Sequence, residues 1–392
     1  MWRSVASNAL TLFIVALVVA AGVLAWGREQ YTGAGPLTDP ICFRVERGDK
    51  LSDVSRALES QGAVSDARIF RIGMDYAAKA DGVKFGSYLL PPAASMAEVG
   101  DLLTTSGQST CGREVNFRIG IAAADVILRE LDPATNRYVE VVKFDPATEA
   151  VPAEYLDVME EPDLRWRVTL AEGVTSWQVV DALKRADFLD GTIEAQPAEG
   201  TLSPDSYEVE RKSTRTELIA EMTKRQGEDL AAAWAARADG LPYATPEEAL
   251  VMASIVEKET GIPEERSRVA SVFINRLAQG MRLQTDPTVI YGITKGEGVL
   301  GRGLRQSELR RETLWNTYVI DGLPPTPIAN PGKLSIEAAL NPDTTKDLFF
   351  VADGTGGHAF AETLEAHNEN VAKWRAIEAA QGQEGATGVQ GE

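Results

Sequence analysis

One carboxyl group in this sequence has the setting that acid catalysis needs. Thr245 is a typical helix N-cap and Pro246 suits the first helical position, so a helix is predicted to begin there and to end before Gly261. At about 100° per residue, the side chain of Glu259 projects within the apolar face of this helix, whereas that of Glu257 projects well away from it. The apolar face is formed by Met252, Ile255 and Val256.

This placement suits Glu259 to the role of general acid. A general acid must hold its proton near neutral pH, whereas a free glutamic acid loses it at about pH 4.3. Apolar surroundings penalise the carboxylate, and the unpaired carbonyl groups of the last helical turn repel it, so both effects raise the pKa. The structural alternative is an ordinary ion pair between Glu259 and Arg266 or Arg268 of the next helix.

Amide, hydroxyl and aromatic side chains are concentrated downstream of this helix. A second predicted helix ends at Gly280, and a polar segment follows it as far as Gly292. Such groups suit contacts with the hydroxyl and N-acetyl groups of sugars, although each alone is also typical of loop capping. The predicted groove residues are Asn275, Gln284, Asp286, Thr288, Tyr291, Asn316, Tyr318, Asn330 and His358.

Asp286 is the best candidate for a second reactive carboxylate. Hydrolytic glycosidases commonly need two carboxyl groups, one as the acid and one as the nucleophile or the base that activates water. The simpler interpretation is a turn in which Asp286 caps the segment after it. The glycine-rich run 354–357 lacks the lysine of a phosphate loop and predicts a hairpin turn, and His367 is expected at the surface of a helix over 362–377.

Composition excludes several other classes of function. The 392 residues include 39 basic and 58 acidic side chains, a net charge of −19, so binding to nucleic acid is not expected. Two histidines and two cysteines are too few for a typical zinc site or a Ser/His/Asp assignment, and no cofactor or metal is predicted. With 44% hydrophobic residues, the chain can form two or three folded domains.

An apolar run near the N-terminus predicts a membrane anchor. Residues 5–26 carry few polar side chains and are long enough to span a hydrocarbon core of about 30 Å. The alternative is a cleaved signal peptide, which the length of the run and Trp26 at its end disfavour. Arg3 favours a cytoplasmic N-terminus, so residues beyond Arg28 are expected to be exported, with 29–40 as a tether.

The two cysteines fit an exported protein. Cys42 opens the first folded segment and Cys111 precedes a later predicted strand, so a disulfide is plausible, with two buried free thiols as the alternative.

The exported part is predicted to be α+β, with two small modules before the helix of Glu259. Residues 41–111 form the first module, 112–165 an insertion with a surface hairpin between two Asp-Pro turns, and 166–240 a second module with a helical connector. Gly48, Val54, Ala57 and Leu58 recur as Gly173, Val179, Ala182 and Leu183, which suggests a repeat. Any strand-turn-helix could give such matches. A catalytic domain at 241–378 and a disordered tail at 379–392 complete the chain.

Three nearly continuous segments resemble the endolytic murein transglycosylase (YceG-like) family. They are 253–260 (ASIVEKET), 269–277 (VASVFINRL) and 281–292 (MRLQTDPTVIYG), and shorter matches continue from Tyr318 to near His367. In this family the catalytic acid is the second glutamate of the E-K-E-T motif, which falls on Glu259. The insertion at 112–165 is longer than the connection that is usual in the family, which leaves the contacts of that segment open.

The resemblance implies an inner-membrane enzyme with a LysM-like module and a periplasmic catalytic part. Its implied activity is cleavage of the MurNAc-GlcNAc bond within nascent peptidoglycan strands, which leaves 1,6-anhydro-MurNAc ends and terminates strand growth. The implied partners are the glycan strands, the membrane and peptidoglycan synthases (penicillin-binding proteins). Two other functions are weighed against it, a hydrolase that uses Asp286 and a non-catalytic scaffold that binds the cell wall.

Overall fold

The protein is described by a computed structural model that covers residues 2–105 and 109–387, with side chains described for 10–105 and 109–379. The chain divides into two compact units, which are treated separately. Unit 1 comprises Met1–Asn116, Ile127–Phe144 and Ala150–Trp166, and unit 2 comprises Phe117–Val126, Asp145–Glu149 and Arg167–Glu392.

Unit 1 begins with a long helix and continues as a small α+β module. Its elements are α1 (Trp2–Thr32), β1 (Ile41–Val45), α2 (Leu51–Ser60), α3 (Ala67–Tyr76), β2 (Gly86–Leu90) and α4 (Met96–Thr105). Strands β1 and β2 are antiparallel, with Ile41 opposite Leu90 and Val45 opposite Gly86. The helices cover this ribbon with a core of Phe43, Leu58, Phe70, Met74, Tyr88 and Leu103, all buried.

Helix α1 is long and apolar enough to cross a membrane between Leu10 and Thr32, with a mean hydropathy of 2.5. The segment after it is fixed to unit 1, although the sequence predicts a tether there. Gly35 donates from its backbone to Ala93 at 3.0 Å, Ala93 donates back to Leu37 at 2.9 Å, and the side chain of Leu37 is buried. The glycines and prolines of the segment indicate irregular backbone, but not where that backbone packs.

The predicted disulfide between Cys42 and Cys111 is confirmed. It joins β1 to the residues that precede β3 (Arg113–Ile119). The two cysteines are 69 residues apart in sequence, so the bridge closes nearly the whole of the first module into one loop.

The predicted surface hairpin is also confirmed. It consists of β4 (Ala124–Asp132) and β5 (Arg137–Phe144), and α5 (Ala153–Val158) follows it. The Asp132 carboxylate accepts hydrogen bonds from the backbone of Ala134 and the hydroxyl of Thr135, as an Asp-Pro turn requires. With β6 (Arg165–Leu170) and β7 (Ser206–Val209), these strands have the order β5-β4-β3-β6-β7.

Unit 2 is mainly helical around the helix that carries Glu259. Its helices are α6 (Ser176–Leu183), α7 (Arg215–Ala235), α8 (Pro246–Glu259), α9 (Arg266–Ala278), α10 (Asp286–Thr294), α11 (Gln306–Leu309), α12 (Lys333–Leu340) and α13 (Leu364–Thr387). Helix α12 packs against both α8 and α9, and the shared core includes Met252, Ile255, Val256, Val269, Phe273 and Ile336. The predicted glycine-rich turn joins the antiparallel strands β8 (Phe349–Ala352) and β9 (His358–Ala361).

The suggested repeat has the same local structure in both copies. Gly48 and Gly173 each have a positive φ, +89° and +76°, in a turn that joins a strand to a helix. A residue with a side chain is strained in that conformation, which explains the glycine in both copies. The valine and leucine that follow each glycine are buried in the cores of their units.

Two expectations for the C-terminal region differ from the structure. His367 is half-buried rather than at the surface, because its ring stacks on Phe349 with the centroids 5.2 Å apart. Helix α13 continues to Thr387, into the segment predicted as a disordered tail, and residues 388–392 lie outside the described chain.

Loss of the disulfide is expected to destabilise unit 1. Closure of a loop of this length limits the unfolded chain, which is worth about 4 kcal/mol. Replacement of both Cys42 and Cys111 by serine should therefore speed hydrogen exchange of the β1 and β2 amides, measured by mass spectrometry. Amides of α8 in unit 2 serve as the internal control and should exchange at the wild-type rate. Equal exchange of β1 in the two proteins would contradict the prediction.

Candidate active site

Glu259 is the last residue of α8, and the sequence fixes this end of the helix. The hydroxyl of Thr245 caps the first turn by accepting from the backbone of Glu248 at 3.3 Å, and Pro246 occupies the first helical position. At the other end Thr260 adopts an extended conformation, so the helix stops directly after Glu259. The eight residues from Ala249 to Val256 are all buried, which holds α8 rigidly in the core of unit 2.

The Glu259 side chain is half-buried, and its carboxyl group is surrounded by protein atoms. Desolvation by this burial is the main cause that raises the pKa of Glu259, and the negative charge of Asp286 raises it further. Three groups oppose the shift to a smaller extent, first the hydroxyl of Thr285 and then the charges of His358 and Arg276. The net effect is a raised pKa, as the sequence predicts, so the protonated acid persists to higher pH than in a free glutamate.

Thr285 donates a hydrogen bond from its hydroxyl to Oε1 of Glu259, and a buried network of hydroxyl groups holds Thr285 in place. The backbone N–H of Thr285 donates to the hydroxyl of Thr317 at 3.1 Å, and the hydroxyls of Thr317 and Thr288 are 2.8 Å apart. Gln284 precedes this network and donates from its backbone to Thr317 at 3.1 Å. Thr288 therefore acts on Glu259 indirectly, as part of the network that orients Thr285.

Asp286 and Tyr318 form a hydrogen-bonded pair beside the acid. The Tyr318 hydroxyl donates to Oδ1 of Asp286 at 2.7 Å, and burial followed by this contact raises the pKa of Tyr318. Asp286 is the first residue of α10, and Thr285 rather than Asp286 occupies the N-cap position. The negative charge of Asp286 thus lies close enough to Glu259 to affect its pKa.

Arg276 and His358 supply the positive side of the site. Arg276 is buried and donates to the backbone carbonyls of Leu348 and Leu283, both at 2.6 Å. The Nδ1 atom of His358 lies 2.7 Å from the carboxylate of Glu265. The positive charge of Arg276, and that of the His358 ring when it carries a second proton, lower the pKa of Glu259.

Glu259 does not form the ion pair with Arg266 or Arg268 that the sequence leaves open as an alternative. Arg266 pairs with Glu172 at 2.9 Å and lies 3.8 Å from Glu257, and Arg268 pairs with Asp347 at 2.8 Å. Both arginines are therefore engaged with other carboxylates, and Glu259 has a hydroxyl as its hydrogen-bond partner.

The three predicted groove asparagines form hydrogen bonds with the protein itself. Asn275 donates to the carbonyls of Thr345 and Asp347, and the fully buried Asn316 donates to three carbonyls at 2.7 to 3.2 Å. Asn330 is also fully buried and bonds to the segments around Val174 and Leu202. These amides are engaged in the loop capping that the sequence leaves open as their alternative role.

Tyr291 lies on α10, five residues after Asp286. Its hydroxyl donates to Glu199 at 3.1 Å, and burial raises the pKa of Glu199. The Tyr291 ring is 5.8 Å from that of Trp315, over which Lys295 lies at 3.6 Å. Sequence reasoning identifies Tyr291 but misses Glu199 and Trp315, which are distant in sequence and belong to no motif.

In chemical terms, the site presents one buried carboxyl group with a raised pKa beside a separate negative charge. Glu259 can give its proton to a leaving oxygen and then accept one, and Thr285 fixes its orientation. No group of three or more His, Cys, Asp or Glu side chains that could hold a metal occurs in the part of the chain that the structure describes.

Asp286→Asn is expected to lower the pKa of Glu259. The carboxylate of Asp286 favours the neutral form of Glu259, and the asparagine is uncharged, so the variant should lose the Glu259 proton at lower pH. NMR titration of the Glu259 carboxyl carbon measures this directly. Asp321→Asn, which removes an exposed carboxylate paired with Arg282, is the control and should leave the midpoint unchanged. An unshifted midpoint in Asp286→Asn would mean that the two carboxyl groups do not interact.

Comparison with known proteins identifies relatives that contain this region. An endolytic murein transglycosylase of Bacillus subtilis is 36% identical over 178 residues, which cover 45% of this chain and 48% of that protein. The protein of the same name from Streptococcus pneumoniae serotype 2 is 33% identical over 182 residues, 45% of this chain and 32% of its own. The chain thus spans about half of the first relative and about a third of the second.

A crystal structure of a yceG-like protein from Listeria monocytogenes matches with a TM-score of 0.45 and 26% identity, over 84% of this chain and 99% of that chain. Residues 143–373, which include Glu259 and every groove residue predicted from the sequence, match the YceG-like family. The chain therefore belongs to the YceG-like family.

Proposed function

We propose that this protein is a lytic transglycosylase that cuts peptidoglycan strands internally at the MurNAc-GlcNAc bond and leaves 1,6-anhydro-MurNAc ends. The observation that carries the proposal is the carboxyl group of Glu259, whose burial raises its pKa and whose orientation is fixed by Thr285. The relatives named endolytic murein transglycosylases support the same class of reaction. Cleavage of nascent strands in this way would terminate their elongation.

The reaction needs only one carboxyl group because the substrate supplies the nucleophile. Glu259 donates its proton to the glycosidic oxygen, the bond from that oxygen to C1 breaks, and the N-acetyl group of the sugar stabilises the positive charge at C1. The Glu259 carboxylate then takes the proton of the C6 hydroxyl, and the C6 oxygen bonds to C1. Glu259 ends the cycle protonated, and no water enters the product.

The surroundings of Glu259 suit both halves of this cycle. The raised pKa keeps the proton available for the leaving oxygen, and the charges of Arg276 and His358 limit the cost of the carboxylate that follows. Tyr318, Asp286 and Gln284 lie on the segments next to Thr285 and are proposed to contact the sugar. Their mixture of hydroxyl, carboxylate and amide groups matches the polar edge of an amino sugar.

We further propose that α1 anchors the protein in the inner membrane, with the N-terminus in the cytoplasm and both units in the periplasm. The apolar length of α1 and the disulfide of unit 1 support this location, since disulfides persist in oxidising compartments. The small α+β module at 41–111 is proposed to act as a LysM-like glycan contact. Peptidoglycan synthases are proposed as partners, which would bring the site to newly made strands.

Glu259→Gln is expected to abolish strand cleavage, because glutamine keeps the size of the side chain but has no proton to donate. Loss of a general acid typically costs a factor of about 10²–10⁴ in rate. The full-length protein is incubated with purified uncrosslinked glycan strands, and fragments are separated and weighed by mass spectrometry. Glu264→Gln, which alters an exposed glutamate after the end of α8, is the matched control and should cleave at the wild-type rate.

The fragment masses also separate the three functions. Transglycosylation gives ends that are lighter by one water than the reducing ends of hydrolysis. Reducing ends alone, with loss of activity in Asp286→Asn, would establish a hydrolase instead. Cleavage by Glu259→Gln at the wild-type rate would contradict the role of this acid, and absence of cleavage in every variant with retained strand binding would favour a binding scaffold.

A further inference from the structure

The end of α1 is built into unit 1. Tyr31, in the last turn of α1, packs on the core of that unit between α3 and α4. The contact is so close that a Cβ atom on Gly73 of α3 would lie 2.1 Å from the Tyr31 ring, whereas one on Gly100 of α4 would be in ordinary contact with the Tyr31 hydroxyl at 3.4 Å. Glycine at position 73 lets α3 approach α1, and α4 packs on the same end of α1, so unit 1 cannot pivot freely about the end of α1.

This contact places α3 close to the surface of the membrane that α1 would cross. The apolar run of α1 ends at Trp26, and Tyr31 follows five residues later in the same unbroken helix. At 1.5 Å per residue the separation is about 7 Å along the helix axis. The polar headgroup layer is about 5–7 Å thick on each side of the hydrocarbon core, so the residues packed on Tyr31 lie at headgroup level.

Helix α3 exposes apolar side chains at this level. Its buried face consists of Ala67, Phe70 and Met74. On the opposite face Ile72 is 68% exposed and Tyr76 is 95% exposed, one turn apart and on either side of Gly73 in the sequence. An exposed apolar residue alone needs no explanation, but an isoleucine and a tyrosine on one face beside a membrane helix match the composition of an interfacial helix.

The charged groups on this face are compatible with a headgroup layer. Arg68 is exposed one turn before Ile72, and its side chain is long enough to place its charge among lipid phosphates beside this face. Asp75 is exposed at the edge of the same face. The tyrosine ring has an apolar body and a polar hydroxyl, which is the reason tyrosine is enriched at membrane interfaces.

We propose that the Ile72–Tyr76 face of α3 lies on the outer surface of the bilayer that α1 spans, so that unit 1 is held flat against the membrane. The inference rests on the anchoring role given to α1 under the proposed function. Two contacts would then fix unit 1 to the membrane, the packed end of α1 and the interfacial face of α3. A LysM-like module held in this way would meet glycan strands only close to the membrane surface.

The test measures the depth of spin labels in full-length protein reconstituted into lipid nanodiscs. Single cysteines are introduced as Ile72→Cys and Tyr76→Cys and labelled without reductant, so that the native cysteines stay in their disulfide. Labels at both sites are expected to be several-fold more accessible to apolar oxygen than to a water-soluble nickel reagent. Val139→Cys, at an apolar position on β5 of the same unit that is 56% exposed, is the control and should show the opposite preference.

A label at Leu17, near the middle of the apolar run, separates the two proposals. If Leu17→Cys faces lipid while the α3 labels favour the nickel reagent, the anchor holds and this inference is wrong. If the Leu17 label is itself in water, the anchoring proposal fails and this inference fails with it. Tyr31→Ala should reduce the lipid contact of the Tyr76 label several-fold while the Leu17 label keeps its depth. Disulfide-linked dimers through Tyr76→Cys, formed in place of lipid contact, would assign this face to a second copy of the chain and overturn the proposal.

Discussion

The cost of placing the Glu259 carboxyl group at the end of a buried helix is the constraint on which the proposed chemistry depends. A carboxylate loses most of its hydration there, so the neutral acid is favoured and the pKa rises. That arrangement requires a rigid α8, which is why eight consecutive residues of the helix are buried and α12 packs against both α8 and α9. A single hydroxyl, that of Thr285, supplies the orientation without supplying a compensating positive charge.

Glu257 illustrates how the same residue type serves a different purpose two positions earlier. Its carboxylate accepts from the backbone of Gly332 at 3.0 Å and from the hydroxyl of Ser335 at 2.7 Å, at the start of α12. A negative charge is favourable at a helix N-terminus, and Arg266 is 3.8 Å away. Burial raises the pKa of Glu257 as well, but its partners tie it to the packing of α12 on α8. Glu259, by contrast, has the hydroxyl of Thr285 as its hydrogen-bond partner.

The sequence predicts the parts of this site that depend on local rules. A capping threonine, a proline at the first helical position and a glycine after the end define α8, and helical periodicity places Glu259 among apolar residues. The partners of Glu259 follow no local rule, because Thr285, Arg276 and Tyr318 come from three other segments. Periodicity gives the direction of a side chain along one helix, but not which loop will pack against it.

The amide side chains show most clearly that residue type alone does not predict which residues line a binding site. The amide groups of Asn275 and Asn316 could donate hydrogen bonds to the oxygens of a sugar. In the structure they donate instead to backbone carbonyl oxygens, which are acceptors of the same kind. Whether such an amide binds a ligand or a backbone carbonyl depends on which backbone groups the fold leaves without partners. That is a property of the tertiary structure. Residues 30–40 give a second example. Their glycines and prolines are compatible with a tether, but the backbone hydrogen bond between Gly35 and Ala93 fixes the segment to unit 1.

The relation between Asp286 and Tyr318 bears on the role of the second carboxylate in the proposed reaction. Oδ1 of Asp286 accepts from the hydroxyl of Tyr318, which fixes the orientation of this carboxylate and occupies one of its lone pairs. Its charge nevertheless reaches Glu259 and favours the protonated form. Asp286 can therefore influence Glu259 through its charge, apart from the contact that it is proposed to make with the sugar. In the proposed reaction the attacking group is the hydroxyl that the substrate itself carries, because an intramolecular nucleophile is already held next to the reacting carbon.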